Sequence, residues 1–137
     1  MITEADAVLI KLTGTVVKVK NATDDMRGRQ VKDKDHKHFG RVHDVFVDDR
    51  ERKPRFLLVD HGGLLGIGEK KSFIPVDVID ATTSDDVFVG DTHDHICGAP
   101  AYDAGLVNDR DYQSRVCGYY ACSPYWSSGY VYPCFNL

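Results

Sequence analysis

Apolar residues along this chain fall into short runs separated by polar turns. Arg55-Phe56-Leu57-Leu58-Val59 is apolar at consecutive positions, the pattern of a strand covered on both faces. Ser72-Phe73-Ile74-Pro75-Val76 is its expected partner, with Pro75 at an edge, a bulge or a strand end because proline cannot donate to a ladder. Between them Gly62, Gly63, Gly66 and Gly68 admit backbone shapes that other residues resist. Upstream, Thr15-Val16-Val17-Lys18-Val19-Lys20 is β-branched with lysines on one face, which predicts a strand. Asn21 to Asp25 is a polar break, and Arg27-Gly28-Arg29-Gln30-Val31 starts a second β segment. Asp33 to His38 is a turn by composition, with Asp35-His36 where Asp-Gly or Asn-Gly is usual, and His tolerates positive φ well. Val42 to Val47 is a strand, Asp48 to Lys53 a charged turn, Asp80 to Asp85 another turn, and Asp86 to Val89 a last short strand. Residues 1–12 admit two readings, a short helix carried by Ala5, Val8, Leu9 and Leu12 or an extended strand.

Strands of this length and spacing argue for a small antiparallel sandwich or barrel. From Asp91 onward the pattern changes. Thr92 is placed to cap one helical turn, His93-Asp94-His95-Ile96. From Tyr102 to Leu137 aromatic residues alternate with Gly, Ser and Pro. That stretch cannot build a core of its own, yet disordered segments are poor in aromatics. It is expected to bind back onto the barrel or onto another subunit.

Composition narrows the class. A chain of 137 residues, 42% hydrophobic and 28% charged, suits one soluble globular domain. A net charge of -4 excludes a general basic field for nucleic acid. No apolar run approaches the ~20 residues of a membrane-spanning helix. The opening MITEADAVLIKL has neither the basic region nor the long apolar region of an export signal, so a cytoplasmic location is expected. Cys97, Cys117, Cys122 and Cys134 are then expected as thiols.

Gly63 to Gly68 has the spacing of a phosphate-binding loop, but Glu69 stands where a lysine is required. A tight connection between strands is the better reading, and its Leu64, Leu65 and Ile67 predict packing against the barrel end, the aromatic tail or a second subunit. His93, His95 and Cys97 are ligand types that zinc accepts, with Cys117 and Cys122 downstream, but no Cys-x-x-Cys accompanies them. The expectation is surface histidines and small apolar cysteines, with no metal or other cofactor. No base is placed beside a nucleophile, so no catalytic residue is assigned and no enzyme activity is expected. Tyr119, Tyr120, Tyr125 and Trp126, with Tyr130 and Tyr132, suit an interaction surface for self-association or docking across the barrel.

Several of these segments together resemble the PRC-barrel domain family. The pattern runs through Arg27-Gly28-Arg29-Gln30-Val31, Phe39-Gly40-Arg41-Val42, Asp44-Val45-Phe46-Val47-Asp48, Arg55-Phe56-Leu57-Leu58-Val59, Gly62-Gly63-Leu64-Leu65-Gly66-Ile67-Gly68 and Ile74-Pro75-Val76. The trailing Ala99-Pro100-Ala101-Tyr102-Asp103 and the aromatic tail are similar to stand-alone bacterial members. The resemblance implies an all-β barrel of about six antiparallel strands with an aromatic C-terminal extension. Its expected division is an N-terminal extension at 1–23, the barrel at 24–103 and the tail at 104–137. It names no chemistry, because fold and function are loosely tied. The photosynthetic H subunit of this family carries a membrane helix and the ribosome maturation factor a preceding β domain; neither pattern occurs here. The functional expectation is a non-enzymatic module that binds a protein partner or a second copy as a homo-oligomer. A ribosome- or RNA-associated role is the alternative, resting on Arg27, Arg29, Lys32, Lys34, Lys37 and Arg41. Interleaved Asp24, Asp25, Asp33, Asp35 and Asp44 make a solvated hairpin of mixed charge the expected reading of that stretch.

Overall fold

Two strands that are apolar on consecutive positions form the spine of the molecule. In the computed structural model, which describes residues 8–62 and 69–135, β3 (His38–Asp48) pairs antiparallel with β4 (Pro54–His61). The turn between them is tied by the Asp48 carboxylate, which accepts from the backbone N–H groups of Arg50, Glu51 and Lys53. Gly40 in β3 is required by contact. A Cβ there would come within 2.1 Å of the Asp60 carbonyl oxygen across the ladder, so any side chain would force the two strands apart.

β4 continues the sheet to β5 (Lys70–Pro75), which Pro75 ends opposite Phe56, as a residue without an N–H should. The eleven residues of β3 accommodate two neighbours on its other side. β1 (Leu9–Lys11) lies opposite Phe46 to Asp48, and β2 (Gln30–Lys32) lies opposite His38 to Arg41. β2 then pairs with β7 (Asp86–Val89), which pairs with β6 (Ile79–Thr82). The sheet runs β5-β4-β3-β2-β7-β6, curled into a half-barrel. Near one end, the Thr82 N–H donates to the carbonyl of Phe135 in the tail.

Four expectations need correction. The sheet has about the expected number of strands, six along its path with β1 beside β3, but β2 and β7 run parallel rather than antiparallel. The fold is not all-β: α1 (His93–Cys97) and the ten-residue α2 (Arg110–Tyr119) follow the sheet. Thr15 to Lys20 joins no ladder, and the second β segment begins only at Gln30, because Gly28 turns the chain at φ 83°. The turn expected from Asp80 starts later, since Ile79–Thr82 finds β7 as a partner. Other local readings hold. His36 adopts φ 62° in its turn, where Asp33 accepts from the Asp35 and Lys37 N–H groups. The Thr92 hydroxyl accepts from the His95 N–H and starts α1. Of the two readings of residues 1–12, the described part takes the strand, as β1.

Alternation along the strands divides the core in two. Leu57, Val59, Val45, Val42, Ile74 and Val87 point inside the curl. Phe46, Phe56, Leu58 and Phe73 point to the other face, where α2 and the tail cover them with Val107, Tyr112, Val116 and Tyr125. Phe56 and Phe73 stack at 4.1 Å, and Phe46 meets Phe73 edge-on at 5.3 Å. The continuous apolar run of β4 therefore serves two cores, one per face.

Candidate functional site

Three features outside the regular sheet carry the functional groups. The first is a clasp between β4 and the tail. Arg55 is 4% exposed, and its Nε donates to the Asp48 carboxylate at 2.9 Å. Its guanidinium also faces three rings of the tail, at 4.8 Å from Tyr125, 5.4 Å from Tyr132 and 5.8 Å from Tyr130. The Tyr130 hydroxyl donates to Asp77 at 3.0 Å and the Tyr132 hydroxyl to the Pro54 carbonyl at 3.1 Å. Burial pushes the Asp77 carboxyl upward and the Tyr125 phenol up to about 12.

The residues named as an interaction surface divide between inside and outside. Tyr125 is buried under Arg55, and the Tyr120 hydroxyl is buried with no hydrogen-bond partner among the described residues. The Trp126 indole donates to Gln113 at 2.9 Å with Arg110 over its ring, while Tyr119 stacks on His95 at 4.3 Å and donates to the His95 carbonyl. Leu64, Leu65 and Ile67 lie outside the described residues.

The second feature is a cleft of about 430 Å³ beside α1, bordered by His61, Lys71, Ser72, Cys97 and Tyr102. His61 Nε2 and Ser72 Oγ share a hydrogen bond at 2.7 Å, and the imidazole lies against Phe39 at 4.5 Å. Burial, then the nearby His93 and Lys70, hold this imidazole below the usual histidine range and favour the neutral form. Sequence reasoning found no base beside a nucleophile; the β4–β5 register makes one, because His61 and Ser72 lie near each other only across that ladder. Among the described residues no carboxylate bonds to His61 Nδ1, the position that an orienting third group of a catalytic triad would take.

His93 and Cys97 are neighbours on α1, with the sulfur 3.8 Å from Nε2, but His95 turns away to Asp91 at 2.6 Å. Among the described residues no group of three or more His, Cys, Asp or Glu side chains is arranged to hold a metal ion. In the basic stretch, Arg27 pairs with Asp25 at 2.6 Å and Arg29 donates to the Thr23 carbonyl at 3.0 Å.

The third feature is Thr15 to Lys20. Its exposure alternates as in a strand, with Thr15, Val17 and Val19 half-buried and Val16, Lys18 and Lys20 outward, yet no ladder includes it. Val16 is 94% exposed. The Val17 N–H bonds to the Thr15 hydroxyl and the Lys20 N–H to the Arg52 carbonyl. A cleft of about 440 Å³ opens beside Leu12, Val17, Val19 and Arg27.

No helix among the described residues is long and apolar enough to cross a membrane. No curated protein matches this chain. The PRC-barrel domain family matches residues 19–94, more than half of the sequence and the region that holds β2 to β7. The chain belongs to the PRC-barrel domain family.

Proposed function

We propose that this PRC-barrel protein is a non-enzymatic binding module that takes up an extended segment of a protein partner alongside Thr15 to Lys20. The observation that carries the reading is a strand-like segment without a strand neighbour among the described residues. Its β-branched composition, alternating burial and 94% exposed Val16 are those of an edge that a further strand would complete. Lys18 and Lys20 face outward on it, so the fitting partner presents acidic residues on the matching face. A second copy of this chain offers lysines at the same positions, which disfavours pairing of the segment with itself. The RNA reading is not kept, because two arginines of the basic stretch are engaged within the chain. A cytoplasmic setting belongs to the same proposal and is supported by four unbridged cysteines.

Lys18→Pro removes one backbone donor at an exposed position and tests the reading. Solution mass is measured first, over a range of concentrations, to detect self-association. Complexes captured on tagged wild-type chain are then compared with those on the variant, and amide exchange is followed at Val16 to Lys20. The expected result is a captured protein that slows exchange at these amides and is lost with Lys18→Pro. Retention by the variant with unchanged exchange defeats the proposal. A concentration-dependent mass abolished by Lys18→Pro makes the partner a second copy.

A further inference from the structure

We propose that Cys117 and Cys122 form a reversible intramolecular disulfide, a redox-sensitive site at the C-terminal end of α2. The helix stops in a turn with two defining bonds. The Cys122 N–H donates to the Cys117 carbonyl at 2.9 Å, and the Ala121 N–H donates to the Gly118 carbonyl at 3.2 Å. Between them Ala121 sits at φ 59°, the left-handed conformation this stop requires. In such a turn the residue just past the left-handed position packs its side chain on the one five residues earlier, a contact usually made by two apolar groups. Here both positions are cysteine. Cys117 lies within the outer core layer, and Cys122 packs against that layer at its margin.

The pair is asymmetric in the way a reactive dithiol needs. Cys117 is 2% exposed, whereas Cys122 is partly open to solvent. The neighbouring Cys117 thiol favours the thiolate of Cys122 and holds that thiol below its ordinary range, while Cys122 and burial push Cys117 up. The charge of a Cys122 thiolate itself disfavours ionisation of Cys117, and the Asp77 carboxylate adds a smaller upward push on each sulfur. Cys97 and Cys134 are exposed elsewhere and have no such neighbour among the described residues.

A hydroperoxide is the oxidant that fits a half-open thiol. The Cys122 thiolate attacks one peroxide oxygen, the O–O bond breaks, and the departing hydroxide takes a proton to become water. The Cys117 sulfur then attacks Cys122 sulfenic acid, the S–O bond breaks, and a second water leaves with the Cys117 proton. Two thiols lose two electrons and two protons, and one peroxide becomes two waters. A dithiol reductant reverses the bridge by exchange. The bridge would fasten the end of α2 to the start of the segment that carries the Arg55 clasp.

The test uses the full chain with Cys97→Ser and Cys134→Ser, so that only the pair remains. After one equivalent of hydrogen peroxide, free thiols are alkylated under denaturing conditions and the intact chain is weighed. The expected change is from two alkylations to none, with a loss of two hydrogens, a chain that stays single on a non-reducing gel, and full reversal by dithiothreitol. Peptide mapping of the oxidised wild-type chain must show the same link, which guards against an effect of the substitutions. Thiols that remain alkylatable after peroxide, or links that join separate chains, overturn the proposal.

Discussion

Arg55 shows how a single residue ties the tail to the sheet. Its charge is buried with Asp48 and faced by three tyrosine rings, so neither long-range solvent nor a shorter cation can replace it. Arg55→Met leaves the Asp48 carboxylate among backbone donors but without its cation. Stability in urea unfolding is expected to fall by roughly 3 kcal/mol. Arg55→Lys should recover little of it, since an ammonium cannot present a planar face to the rings; full recovery would contradict the clasp. A second residue-scale prediction concerns pH. His61 is held below its unfolded value of about 6.5 by burial. The unfolded chain therefore takes up this proton first as pH falls. The stability is complete above about 6.5 and is lost as pH drops through the lower folded value. Between pH 7 and pH 5, His61→Gln should flatten that part of the stability curve; an unchanged slope would assign the dependence to other groups.

Among the elements, α2 and the Thr15 to Lys20 segment departed furthest from expectation, for opposite reasons. The helix had its start signal in plain view. Asp109 accepts from the Tyr112 N–H at 2.9 Å, and the buried Tyr112, Gln113, Val116 and Cys117 recur at helical spacing. Gly118 and the dense tyrosines around it obscured that period, because aromatic and glycine residues are poor helix formers. Asp109→Ala is expected to cost about 1 kcal/mol in thermal or urea unfolding. A neutral result would show that packing on Phe73, not the cap, holds the helix start. The Thr15 to Lys20 segment had strand propensity and the matching alternation of burial, but propensity supplies no neighbour. The His61–Ser72 couple was equally hidden, since its members are eleven residues apart and meet only across a ladder.

Viewed as a whole molecule, the curled sheet has two apolar faces, and the second is covered by residues after 103. Removing residues 104–137 uncovers Phe46, Phe56 and Phe73. Burial of such side chains contributes about 1.5–3 kcal/mol each, a sum comparable to the roughly 5–15 kcal/mol that holds an entire domain. The shortened chain is expected to bind a hydrophobic dye and to lose its cooperative melting transition. A sharp transition at the original temperature, without dye binding, would mean that the tail is dispensable to the barrel.

Strand positions β3, β4, β5 and β7, the His36 turn, the Thr92 cap and the terminal place of Pro75 were all readable along the chain. Each depends on a few neighbouring residues, through side-chain alternation, a tolerated φ or a missing N–H. The parallel union of β2 with β7, the loss of Thr15 to Lys20 from the sheet and the closure of three tyrosines over Arg55 were settled in space alone. Those outcomes join residues tens of positions apart, and local preference carries no information about which distant segment arrives to cover which face.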